Sequence, residues 1–162
     1  MTPPSNGHRG REDQRAIDLA WKAVGARERT VYELCTYLEN KKVEPAAIDQ
    51  AVTELSEAGF LDDADYARRF AEDRRALQSW GRDRIERDLL RRGVEPGLIE
   101  RGLAQGEEHD ELEAALGVLG ERLPSPPEGD RERNRAWQML VRRGYSSELA
   151  YEAVRRHGGE AA

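Results

Sequence analysis

Arginine is the residue whose type and spacing carry the most chemistry in this chain. At about 100° per residue, Arg84, Arg87 and Arg91 fall together on the side of a helix away from Ile85 and Leu89. They form a guanidinium row that can meet carboxylates or phosphates through paired hydrogen bonds. A solvated helix face gives the same pattern. Lys41, Arg92 and Arg143 read differently, because each falls in the last turn of a helix, where a cation meets the negative end of the helix dipole for ~0.3–1 kcal/mol. The net charge of −6 argues against a generic nucleic-acid binder, yet charge is segregated along the chain. Residues 66–92 hold nine arginines, among them Arg68, Arg74 and Arg75, against five acids. Residues 131–156 hold seven arginines, including Arg142 and Arg143, against three acids, whereas residues 44–65 hold seven acids and no base.

Other chemistry is thinly represented. His8, His109 and His157 are scattered, so neither a metal-ligand spacing nor a catalytic triad emerges. No glycine-rich loop leads to Lys-Ser or Lys-Thr. Cys35 is the single cysteine, which excludes a disulfide within the chain and a cysteine-cluster metal site. Asp62, Asp63 and Asp65 are close enough to suggest a cation cluster, but helix capping accounts for them more simply. Trp21 and Trp137 fall within apolar helical patterns and read as core. Trp80 sits at a helix junction and is the one tryptophan open to a stacking role. The expectation is a protein without catalytic residues, cofactor or metal.

The elements that must position these arginines are helical. Thr30 and Glu33 form a capping box opening one helix, and Pro45 suits the first position of the next, whose stripe is Ile48, Ala51, Val52 and Leu55. Asp62 and Asp63 open a further helix expected to bury Tyr66, Phe70 and Leu77. Gly81 starts a helix with Ile85 and Leu89 inward, and Gly93 closes it. Leu112, Leu116, Leu119 and Leu123 follow at helical spacing before the break at "PSPPEG". No segment alternates as a strand would. The first helix is expected over residues 13–24.

These elements recur. "YLENKKVEPAAIDQAV", "DLLRRGVEPGLIERGL" and "MLVRRGYSSELAYEAV" share one register, with Val43, Val94 and Tyr145 each 51 residues apart. Leu38, Leu89 and Leu140 fill one column, and Lys41, Arg92 and Arg143 another. A unit this short rarely buries its own apolar face alone, so a stacked array is expected. The 162 residues are 38% apolar, 36% charged and 6% aromatic, which favours several thin helical cores over one thick one. The expected fold is all-α, an elongated array of three tandem three-helix repeats over residues 13–60, 61–107 and 108–158. A disordered tail over residues 1–12 precedes it, and a proline-rich linker over residues 124–129 interrupts the third repeat. No apolar run approaches the roughly 20 residues that cross a bilayer, and the start has no apolar signal core, so a cytoplasmic protein is expected.

The middle copy carries a family resemblance. "LDDADYARRFAEDR", then Trp80-Gly81, then "RIERDLLRRGVEP" resembles the RecX family of bacterial recombination regulators, built from tandem three-helix repeats. Leu61, Asp62, Asp63, Tyr66, Ala67, Phe70 and Arg74 match its best-defined segment, and Gly81, Arg84, Ile85, Leu89, Gly93 and Val94 match the helix after it. The likeness covers residues 15–157. It implies a non-enzymatic modulator of the RecA recombinase that binds in the groove of the RecA filament on DNA and limits its extension, ATPase and strand exchange, in recombination, repair and the SOS response. The expected contacts, to acidic patches on RecA or to DNA phosphates in the groove, are Arg68, Arg74, Arg75, Arg84, Arg87, Arg91, Arg142 and Arg143, on a monomer with no membrane partner. Two other readings use the same residues: a regulator that binds bare DNA through its arginines, and a helical scaffold that binds a peptide.

Overall fold

The structure is a computed structural model that describes residues 6–104 and 110–159. Among the described residues there are nine α-helices and no strand. The first unit comprises α1 (Asn6–Ala26), α2 (Val31–Asn40) and α3 (Pro45–Glu57). The second comprises α4 (Asp63–Gln78), α5 (Arg82–Arg91) and α6 (Pro96–Ala104), and the third α7 (Glu111–Arg122), α8 (Gly129–Arg142) and α9 (Ser147–His157). Helix α1 therefore starts at Asn6 and not near residue 13, so residues 6–12, expected in a disordered tail, are helical; Arg15 and Glu12 pair one turn apart within it. Residues 1–5 lie outside the described residues, as does His109.

Local chemistry sets the helix starts. The Thr30, Asp62 and Ser146 side chains each accept a backbone N–H three residues on, at 3.1, 3.0 and 3.2 Å, and Asp110 accepts from both Leu112 and Glu113. Each unit packs its first helix against its third, with the second closing the triangle. Three separate apolar clusters result. Ala16, Ala20, Leu34, Leu38, Ile48, Ala51 and Leu55 fill the first, joined by Leu61 from the start of the next segment. Phe70, Ile85, Leu89, Ile99 and Leu103 fill the second, and Ala115, Leu119, Leu140, Tyr145 and Ala150 the third. Leu77, expected inside, is 78% exposed. It lies in the last turn of α4, beyond the reach of α6, which packs along the earlier turns around Ala67.

The units join through backbone. After each second helix one residue turns left-handed: Lys42 at φ 62°, Gly93 at 80° and Gly144 at 99°, which are equivalent positions 51 residues apart. A Cβ on Gly93 would lie 2.2 Å from the Tyr32 Cβ, and one on Gly144 would lie 2.3 Å from the Arg84 Cβ. Both neighbours belong to the second helix of the preceding unit. The equivalent place is exposed at Lys42, with no earlier unit packed against it among the described residues, so a lysine fits there. The carbonyl one residue earlier is bonded in all three copies. Arg92 O accepts the Thr30 hydroxyl at 2.6 Å and Arg143 O accepts the Gly81 N–H at 2.8 Å, while the Arg15 guanidinium fills that place on Lys41 O at 2.8 Å.

A carboxylate completes each junction. The first residue of α4, Asp63, accepts the Val31 N–H at 3.0 Å, and the first residue of α7, Glu111, accepts the Arg82 N–H at 2.9 Å. Val31 and Arg82 are the first residues of α2 and α5, so each unit caps the second helix of the unit before it. The 51-residue register does not align Asp63 with Glu111, because the third unit's first helix is displaced by its linker. Burial raises both carboxyls above their ordinary values, against the opposing pull of the N–H bonds. Helix α8, against which no further unit packs among the described residues, runs 14 residues, where α2 and α5 run 10.

Gly144→Ala is expected to cost about 2 kcal/mol or more in urea denaturation, since the new methyl meets backbone as well as a side chain. Lys42→Gly, at the equivalent place without a neighbour, is expected to lie within about 1 kcal/mol of neutral. The raised carboxyl of Asp63 gives a second expectation. Its ionised form is disfavoured in the fold, so its contribution is greatest below the ordinary value of 3.8 and falls as pH rises through the higher folded value. Asp63→Asn keeps an acceptor for Val31 without the charge, and its melting temperature should gain on the parent chain between pH 3.5 and 7. A gap that is flat or closes as pH rises would contradict this account.

Candidate functional site

The arginines divide sharply by what surrounds them. Arg68 bonds Asp65 at 2.8 Å and Glu72 at 2.9 Å, and Arg91 pairs with Asp88. Arg74 lies over the Phe70 ring at 4.7 Å and the Trp80 ring at 5.2 Å, with its buried Nε unpartnered. Arg75 also has a buried Nε without a hydrogen bond, and burial lowers its guanidinium, with Glu111 opposing the shift and Arg82 adding to it. Arg87 is exposed with no ion pair among the described residues. The row read from the helical wheel is therefore uneven: Arg91 is spoken for, Arg87 projects, and Arg84 turns toward the next unit.

Arg84 leads to the site. Its guanidinium carbon stands 3.9 Å from the centre of the Trp80 ring, at the head of a ladder of rings and cations. Trp80 meets Phe70 edge-on at 6.4 Å, Arg92 covers Phe70 at 4.9 Å and donates to the Tyr66 hydroxyl at 3.0 Å, and Tyr66 stacks on Phe70. This ladder gives α4 and α5 a fixed relation and makes Trp80 a floor. Beyond it opens a cleft of about 530 Å³ between the second and third units, lined by Arg84, Arg122, Arg142 and Arg143 and by Leu77, Trp80 and Met139.

The cleft is basic and built. Among the described residues none of its four guanidiniums has a carboxylate within ion-pair distance, and one acid, Glu121, lines it. The Arg143 guanidinium donates to Gln78 O at 3.0 Å, and the Tyr145 hydroxyl donates to Ser79 O at 2.8 Å, which pins the end of α4 to the third unit. Burial pushes the Tyr145 hydroxyl up to about 12, so it remains a donor throughout the physiological range. Ser79 itself is left-handed at φ 52°, which turns the chain from α4 toward Trp80. Arg84, Arg142 and Arg143 were legible in the sequence as candidates. Arg122 was not, since the charge of α7 reads as acidic, and only the packing of α7 beside α8 brings it in.

The three acids at the head of α4 take three different tasks. Asp62 caps its own helix, Asp63 caps α2 of the preceding unit, and Asp65 holds Arg68 and Arg69. Family models of the first, second and third three-helix domains of RecX match residues 16–55, 62–103 and 109–154. The chain belongs to the RecX family. Regulatory protein RecX of Deinococcus radiodurans is 32% identical to it over 95% of this chain and 78% of that protein. The RecX of Mycobacterium ulcerans is 32% identical over 94% and 89%. A RecX from Lactobacillus delbrueckii subsp. bulgaricus is 34% identical over 84% of this chain and 51% of its own length, so the chain spans about half of that relative. The crystal structure of RecX from Lactobacillus salivarius superposes with a TM-score of 0.80 over 91% of this chain and 97% of that one, at 16% identity, a likeness of fold. Within the RecX matches, the cleft lies where the second domain meets the third. No helix among the described residues is long and apolar enough to cross a membrane.

Phe70, 8% exposed, anchors the ladder under the cleft. Phe70→Ala is expected to cost about 3–5 kcal/mol by urea denaturation, with loss of the ring contacts adding to the cavity term. Trp80→Ala, half-exposed, should cost clearly less. An unchanged midpoint for Phe70→Ala would mean that the ladder does not support the second unit.

Proposed function

We propose that this protein binds the RecA recombinase filament on DNA and limits its extension, ATPase and strand-exchange activity, without chemistry of its own. Membership of a family of regulatory proteins supports the class of function. The observation that carries the docking site is the gathering of four guanidiniums without a carboxylate partner among the described residues, Arg84, Arg122, Arg142 and Arg143, in one cleft that a single acid, Glu121, lines. Unpaired cations on a rigid floor are free to meet acidic groups of a partner, and complementary charge raises the rate of encounter as well as the affinity. An array of stacked units offers a long surface suited to reaching across more than one subunit of a polymer. Arg87, exposed on the same helix as Arg84, extends that surface, whereas Arg68 and Arg91 contribute less because their charges are already matched.

The test is ATP hydrolysis by RecA filaments on single-stranded DNA with the purified protein at substoichiometric ratios. Hydrolysis should slow, and Arg84→Glu with Arg142→Glu should relieve the slowing about tenfold or more in the concentration required, with a larger effect at low salt. The circular-dichroism spectrum of the variant should match that of the parent. Unaltered hydrolysis at equimolar protein would overturn the function. Full slowing by the folded double variant would move the docking site elsewhere.

A further inference from the structure

The basic cleft has an apolar side that charge alone does not use. Leu77 lines it at 78% exposure, the most exposed large apolar side chain among the described residues, and Met139 and Val118 flank it from the third unit. A solvated leucine in the last turn of a helix is unremarked in itself. Here it stands beside four guanidiniums without carboxylate partners, in a concavity walled by two units whose relation is fixed by the Arg143 and Tyr145 bonds to α4. A ligand that used the whole cleft would bring negative groups and an apolar side chain together.

That combination separates the candidate ligands. A nucleic-acid backbone supplies phosphates, and single strands add bases that stack on open aromatic faces. Trp80 does not offer an open platform, since Arg84 lies 3.9 Å and Arg74 5.2 Å from its ring centre. A phosphate chain would leave Leu77 and Met139 in water. A peptide of Asp and Glu with an interspersed leucine or similar residue would pair its carboxylates with the arginine forks and cover Leu77. The long acidic stretches of this chain also repel a polyanion while leaving a short acidic segment able to enter locally.

We propose that the cleft takes a short acidic peptide segment bearing an apolar side chain, presented by a partner protein. The proposal deepens the docking role assigned to this cleft and rests on it. Arg84, Arg122 and Arg142 would bind the carboxylates, with Arg143 held by Gln78 as a fixed edge, and Leu77 would take the apolar residue.

The experiment uses the full chain and three labelled probes in fluorescence anisotropy: a short peptide of acids with leucines interspersed, the same peptide with glycine for leucine, and a single-stranded oligonucleotide of matched length. The acid-leucine peptide should bind saturably and about tenfold or more tighter than the oligonucleotide at physiological salt. Arg84→Glu with Arg142→Glu should weaken it about tenfold or more, whereas Arg9→Glu with Arg11→Glu, an equal charge change on α1, should change it little. Leu77→Ser should weaken the acid-leucine peptide severalfold and leave the acid-glycine peptide unchanged. Equal binding by parent and cleft variant, an insensitive Leu77, tighter binding of the oligonucleotide with the same arginine dependence, or an arginine-dependent dimer of the protein alone would each overturn the proposal. RecA hydrolysis measured on the same variants separates the two readings. Peptide binding lost by a variant that still slows RecA leaves the peptide site standing and removes it from filament docking.

Discussion

Every unit after the first depends on the absence of a side chain at one left-handed residue. Gly93 and Gly144 let the second helix of the preceding unit come down onto the turn, close enough for the Thr30 hydroxyl and the Gly81 N–H to reach a carbonyl. The geometry demands glycine twice over: once for φ, and once for the space that Tyr32 and Arg84 occupy. From that contact follow the direction of the stack and the start of α2 and α5, whereas α8, which no described unit covers, runs an extra turn.

The junctions are polar while the cores are apolar, and this division matters. The second and third hydrophobic clusters are each drawn from one unit and the first takes in only Leu61 from beyond its own, so apolar burial stabilises units and contributes little to their mutual orientation. Orientation comes instead from directional bonds: backbone to backbone, Asp63 and Glu111 to the exposed amides of a neighbouring helix, Tyr145 and Arg143 to the end of α4. Hydrogen bonds fix angle and register in a way that apolar contact does not. The cost is desolvation of two carboxyls, seen in their upward shifts.

The cleft inherits both properties. Its floor is the ring ladder of the second unit, an apolar construction stiffened by arginines over Phe70 and Trp80. Its far wall is the third unit, set in place by the polar junction. Several arginines inside one unit meet acids placed three or four residues away on their own helix, as Arg68 and Arg155 do. At the seam between the second and third units Arg84, Arg122, Arg142 and Arg143 have no such neighbours among the described residues, whereas at the first seam Arg92 pairs with Glu33 and Asp88. The charges at the second seam remain available, and that is where the binding surface arises.

The sequence by itself determined the helices, the threefold recurrence and the interior columns of Leu38, Leu89 and Leu140, because periodicity and capping are local and report directly on the backbone. It also exposed Arg84, Arg142 and Arg143 as candidates through composition. It did not reach the exposure of Leu77, which depends on how far α6 runs beside α4, nor the start of α1, whose polar first turns carry no apolar stripe. It assigned Asp63 to its own helix, whereas the carboxylate serves Val31, 32 residues earlier. Tertiary structure alone decided which arginines stand free, since pairing is a matter of which acids arrive within 4 Å, and Arg122 joined the cleft only when α7 packed beside α8. A helical wheel gives the direction of a side chain within its helix, and the stack decides what that direction faces.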